Sequence, residues 1–214
     1  MRRFNILALF FLLLVGSAFG NTVTMNFLGP GGPNGGGVYT YPYNFSINGS
    51  SSPTSLICDS FDNHVFAGET WTANVSSLLS GQGLFGGALL DYKAAGLIFK
   101  SILAGGTSEV AGNWAIWGLF SSNAQNNSFY QSSGANAIAA QFLALAANAP
   151  NSSFKGLVLY TPLRGNSSVD GLPQEYIGYN PTPEPATMTL FGSGLASLCL
   201  LRRKRAGKTA PQQA

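Results

Sequence analysis

The densest group of side chains capable of chemistry is Cys58, Asp59, Asp62 and His64, and His64 is the only histidine in the chain. A thiol, two carboxyls and an imidazole are metal-ligand types, and a thiol beside an imidazole is also the composition of a cysteine nucleophile and its base. On a continuous strand Asp62 and His64 would share a face. A metal site needs three or four converging ligands, however, and the only other cysteine, Cys199, falls in an apolar run near the C-terminus. A nucleophile pair needs its two side chains within hydrogen-bond reach, which six residues along a strand do not provide. We read these residues as hydrogen-bonding groups of a loop and expect no catalytic residue, no metal and no cofactor.

Other candidates are weaker. The glycine clusters Gly31-Gly32 and Gly35-Gly36-Gly37 lack the Lys-Ser/Thr ending of a phosphate loop and the strand-to-helix setting of a dinucleotide site, so they read as connectors. The carboxylates are too few and scattered to nominate a glycosidase pair. Tyr39, Tyr41, Tyr43 and Phe45 alternate along one stretch and have faces that stack on sugars, but aromatics on a strand more often make core and cross-strand pairs.

The elements that must position these residues follow from periodicity. Thr22 to Leu28, Val38 to Ile47, Ser55 to Asp62 and Thr70 to Val75 read as strands, with Gly29 to Gly37 a loop, Gly49 to Pro53 a turn, and Pro42 arguing for an edge position. After Gly87 the spacing becomes helical. Leu89, Leu90, Ala94, Leu97, Ile98 and Leu103 form a first stripe, ended by Gly105-Gly106. Thr107-Ser108-Glu109 caps a second helix, Val110 to Phe120, and Ala135 to Ala147 makes a third before Pro150. Gly156 to Tyr160 and Glu175 to Tyr179 return to strand. The expected fold is α+β: a sheet or barrel packed against about three short helices.

Charge is segregated. Arg2, Arg3, Arg202, Arg203, Lys204, Arg205 and Lys208 lie at the two ends, while residues 21–180 carry only Lys93, Lys100, Lys155 and Arg164 against seven acidic residues. The middle of the chain is therefore net negative and lacks the basic patch that nucleic acid requires. Arg2-Arg3, an apolar stretch from Ile6 to Val15 and the small residues Ser17-Ala18-Phe19-Gly20 form a signal peptide over residues 1–20, with cleavage before Asn21 and export by the secretion machinery.

The other end has three parts: Pro183-Glu184-Pro185, an uncharged run from Ala186 to Leu201, and the basic block Arg202-Arg203-Lys204-Arg205. The prolines hold Glu184 in extended, readable backbone. A helix over that run spans about 24 Å at ~1.5 Å per residue, enough to enter a ~30 Å hydrocarbon core that thins around it. The basic block stops translocation and leaves residues 206–214 as a cytoplasmic tail. This order resembles the PEP-CTERM sorting signal over residues 181–205. The resemblance implies recognition of Pro183, Glu184 and Pro185 by an exosortase, transient anchoring in the inner membrane, and an address in the envelope or extracellular space among exopolysaccharide.

A second resemblance lies inside the exported domain. Leu56-Ile57-Cys58, a helix, then Asn113-Trp114-Ala115-Ile116-Trp117 is similar to the thioester domains of bacterial surface adhesins, with Asn113 standing where that family has glutamine. It implies a related fold in which Cys58 and Asn113 hold the thioester positions without the bond, since asparagine is one methylene shorter than glutamine. By spacing alone, Trp114 and Trp117 are core anchors of a helix. The expectation is thus a non-catalytic binding or structural protein of the cell surface, residues 21–180 being one domain. Its rivals are a secreted polysaccharide-acting enzyme and an adhesin attached through Cys58.

Overall fold

The computed structural model describes residues 21–163 and 171–180. Six strands close into an antiparallel barrel in the order β1 (Asn21–Pro30), β4 (Tyr43–Ile47), β5 (Thr54–Cys58), β8 (Tyr176–Tyr179), β7 (Leu157–Pro162) and β6 (Thr70–Ser77), with β6 returning to β1. The pair β2 (Asn34–Gly35) and β3 (Val38–Tyr39) forms a small hairpin of its own. Between β6 and β7 the chain makes a helical layer of α1 (Leu89–Leu103), α2 (Glu109–Phe120) and α5 (Ala135–Asn148), with two one-turn helices, α3 (Ser122–Asn126) and α4 (Ser128–Ser132), between the last two.

The two walls of the barrel have different sequences for one physical reason. On β1, β4 and β6 buried residues alternate with wetter ones, so Met25, Phe27, Tyr43, Phe45, Trp71 and Ala73 point inward. On β5 and β8 successive residues are buried, because the helices cover the outer face. Register assigns the sides: Tyr43 opposes Leu56 and Cys58 opposes Tyr176 on the inside, while Ile57 opposes Ile177 toward the helices. The interior is filled by rings. Phe45 lies 5.2 Å from Phe27, 5.8 Å from Trp71 and 4.6 Å from Tyr176, the last two edge-on.

Helix α2 is the centre of the helical layer. Every residue from Ala111 to Gly118 is buried, so it has no wet face to show as a stripe. Ser108 caps it by accepting from the Ala111 amide at 3.2 Å, and Glu109 sits in its first turn, where the helix dipole favours a negative charge.

Three expectations change. The stretch Val38 to Ile47 is not one strand: Tyr41 and Pro42 leave the ladder between β3 and β4, as a proline without an amide donor favours. Its aromatic residues therefore do not share one continuous face, and Pro42 marks a break rather than an edge strand. The strand expected to reach Asp62 ends at Cys58, where Asp59 turns out of the barrel wall. Gly29 to Gly37 contains the end of β1 and the β2 bridge; a bulge at Leu28, with Gly29 at φ 133, bends β1 into it.

β1 begins and β8 ends on the same rim of the barrel, since Asn21 opposes Val75 and Leu157 opposes Tyr179. The opposite rim is built from segments 30–42 and 59–69 and the residues leading into β8. Gly32 is what lets the first of these fold back: a Cβ there would lie 2.1 Å from the Tyr41 carbonyl oxygen and 2.2 Å from that of Thr40. Gly32→Ala is expected to cost about 3 kcal/mol in urea unfolding, because backbone atoms must move. Gly37→Ala, with open space but φ 86, should cost about 1–2 kcal/mol. Equal losses at the two positions would refute the packing argument.

Candidate functional site

The rim opposite the chain ends carries a cleft of about 390 Å³. Its buried base is Phe27, Tyr43 and Trp117, while Tyr39 (54% exposed) and Phe66 (50% exposed) stand at its mouth with His64. Phe61 joins it to α2, its ring centroid 5.3 Å from both Trp114 and Trp117. No aspartate, glutamate, lysine or arginine lines it among the described residues. Its polar groups are largely committed inward. The Gln174 amide donates to the Asn63 carbonyl at 2.6 Å and accepts from the Tyr176 hydroxyl at 2.6 Å, and the Tyr43 hydroxyl donates to the Tyr39 carbonyl. Such a lining suits an uncharged ligand that offers a ring or an apolar face.

The four residues that head the sequence candidates are dispersed. Cys58 faces the barrel interior, Asp59 turns toward the helical layer, Asp62 accepts from the Asn123 amide at 2.8 Å on the surface, and His64 lines the cleft. With β5 ending at Cys58, Asp62 and His64 do not share a strand face. Among the described residues no group of three or more histidine, cysteine, aspartate or glutamate side chains is placed to hold a metal ion. Of the tyrosine and phenylalanine candidates, Tyr43 and Phe45 are core, Tyr41 packs edge-on against Phe99 at 5.3 Å, and Tyr39 reaches solvent at the cleft. Trp114 and Trp117 are core anchors of α2 as their spacing suggests.

Cys58 and Asn113 do meet, through the backbone. The Asn113 Nδ2 donates to the Cys58 carbonyl at 3.0 Å, and its Oδ1 accepts from the Tyr41 amide at 2.8 Å. The carboxamide thus ties the end of β5 to the segment leading into β4. The Cys58 thiol donates to the Ser60 carbonyl at 3.6 Å. Burial, and then the neighbouring Asp59 charge, push that thiol up to about 12, so its nucleophilic thiolate is scarce near neutral pH.

Sequence reasoning passes over two features. One is the cleft, assembled from loops far apart in the chain. The other is a buried carboxyl pair, Asp59 and Glu175, with Tyr92 from α1 and Thr161 from β7 hydrogen-bonded to Glu175. The available signal was Glu175 itself, a rare charge opening the apolar strand Tyr176–Tyr179.

Native Cys58 is expected to alkylate at least a hundredfold more slowly at pH 8 than in denaturant, with the intact mass of an unmodified amide and thiol. A mass lower by one ammonia, restored by methylamine, would instead mark a Cys58–Asn113 thioester.

Pro183, Glu184 and Pro185, the apolar run after them and Arg202, Arg203, Lys204 and Arg205 lie outside the described residues. Among the described residues no helix is long and apolar enough to cross a membrane. Comparisons with curated proteins and with solved structures find no match. Residues 181–205 match the PEP-CTERM protein-sorting motif. The chain accordingly carries a PEP-CTERM sorting motif, which implies export, transient anchoring and processing by an exosortase on the way to the envelope or the extracellular space.

Proposed function

We propose that residues 21–180 work as a non-catalytic binding domain of the envelope or extracellular matrix, taking a neutral stretch of exopolysaccharide in the aromatic cleft. The cleft itself carries this reading. Pyranose rings present apolar C–H faces that lie against aromatic side chains, and Tyr39 and Phe66 stand exposed where such a ring would arrive. Among the described residues the lining itself has no carboxylate, lysine or arginine, and the nearby Glu69 is engaged by the Phe66 amide, which matches an uncharged ligand better than an anionic or cationic one. The cleft also lies on the rim away from both ends of the folded chain.

The enzyme rival is less well supported. Glycoside hydrolysis uses two carboxyl groups about 5 to 9 Å apart across the substrate. The cleft has none among its described lining residues, and the Asp59–Glu175 pair is fully buried. The adhesin rival needs Cys58 within reach of a partner's nucleophile, and Cys58 is sealed in the barrel.

Affinity electrophoresis and calorimetry against neutral bacterial polysaccharides test the proposal. The wild type should bind without releasing reducing ends. Tyr39→Ala and Phe66→Ala should each weaken binding about tenfold, or about 1.4 kcal/mol, while leaving the unfolding midpoint unchanged. Reducing-end release, or variants that bind like the wild type, would reject the cleft as a passive sugar site.

The sorting reading has its own check. In a host with an exosortase, Glu184→Ala should persist as a full-length membrane-bound species while the wild type loses Thr187 to Ala214. Equal processing of both would leave the Pro-Glu-Pro sequence without a recognition role.

A further inference from the structure

At the joint between barrel and helical layer, two carboxyl groups are closed off from water. Asp59 follows β5, Glu175 precedes β8, and both are fully buried. Their backbones are bound together: the Asp59 amide donates to the Glu175 carbonyl at 3.3 Å, and the Glu175 amide donates to the Ser60 hydroxyl at 2.7 Å. Glu175 is well supplied with donors. Its Oε1 accepts from the Tyr92 hydroxyl at 2.5 Å, and its Oε2 accepts from the Leu84 amide at 2.8 Å and from the Thr161 hydroxyl. These three donors satisfy the acceptor capacity of both Glu175 oxygens.

Asp59 is the opposite case. Neither of its oxygens has a donor, yet its carboxyl lies against that of Glu175. Two anions in one dry site repel, and a single proton on Asp59 removes the repulsion and supplies the missing hydrogen bond to Glu175. The surroundings offer no relief. The titratable groups facing the pair are Cys58 on β5, Tyr92 on α1 and Tyr176 on β8. Tyr43 on β4 and Glu69 before β6 act on it at one remove, through Cys58 and Tyr176. All are acids. Among the described residues no lysine, arginine or histidine compensates the pair.

We propose that Asp59 and Glu175 form a pH-sensitive latch, which fastens Leu84 and Tyr92 of the helical side to the barrel while one proton is shared and loosens when that proton leaves. Burial and the Glu175 charge raise Asp59 well above the ordinary carboxyl range. The sign follows. In the unfolded chain Asp59 loses its proton at ordinary acidic pH, whereas the folded chain keeps it. Above that pH the native state holds one proton more, so stability is full in acid and falls as pH rises toward the folded value. One proton corresponds to a tenfold change in the unfolding constant per pH unit.

Urea unfolding of the purified chain between pH 4 and 8 tests the latch. The wild-type unfolding constant should rise by up to tenfold per pH unit over part of that range. Asp59→Asn, whose amide donates the same hydrogen bond at every pH, should flatten this dependence and be the more stable protein at pH 8. An Asp59→Asn slope equal to the wild type's, or a wild type without a slope, overturns the proposal. Hydrogen exchange at the wild-type Leu84 amide gives a second reading that needs no substitution. Corrected for base catalysis, its protection should fall as pH rises; constant protection also overturns the latch.

Discussion

The far rim of the barrel depends on one carboxamide. Asn113 projects from the middle of a helix that is buried on every side, and both of its polar ends reach backbone: the Tyr41 amide and the Cys58 carbonyl. One turn of bonding thereby couples three distant pieces of chain. Its neighbour Trp114 adds a fourth by donating its indole N–H to the Gly35 carbonyl at 3.0 Å. Backbone groups at strand ends have no ladder partner and must find one when buried. Here α2 provides it, and so the helix decides where the β2–β3 hairpin and the 59–69 segment stand. Those two segments supply Tyr39, Phe61, His64 and Phe66 to the cleft.

The same interaction explains why the Cys58–Asn113 pairing carries two meanings. Read in sequence, a cysteine and a carboxamide before Ala-Ile-Trp resemble a thioester pair. In the fold, the carboxamide engages the main chain of Cys58, and the thiol turns to the Ser60 carbonyl inside an aromatic barrel. A carboxamide held by two backbone partners is positioned for cohesion between strand and helix. Burial then makes the thiol a small apolar filler, the common fate of a free cysteine.

Legibility followed the range of the interactions. The helices α1, α2 and α5 were readable within a residue or two, because spacing, a Ser108 cap and the Gly105-Gly106 stop are local. The sorting tail was readable because its recognition is linear. The choice between sheet and closed barrel was not, since closure depends on β6 pairing β1 across about fifty residues and on β5 pairing β8 across more than a hundred. The run Val38 to Ile47 misled for a related reason: alternating aromatics satisfy a strand pattern, while Pro42 and the need to reach Asn113 break it in two. The carboxyl pair was not legible because Asp59 and Glu175 are remote in the chain, and a charge opening an apolar strand at Glu175 does not name its partner.

Charge ties address, fold and the proposed ligand together. The exported domain has few ionic side chains to begin with, and it buries two of its acids against each other at the barrel–helix joint. Burying a carboxyl pair costs less when one member stays protonated, so the joint tolerates what two anions would not. Among the described residues no carboxylate, lysine or arginine lines the aromatic cleft itself, and the charge at its edge, Glu69, is engaged by the Phe66 amide at 2.9 Å. A face of that kind gains little from long-range electrostatic attraction and depends on direct contact of ring with ring face. On the proposed reading, affinity at one such cleft would be modest. The matrix polymer proposed as its ligand would offset that weakness by repetition, since many identical units along one chain hold a local concentration at the cleft that a free sugar does not reach.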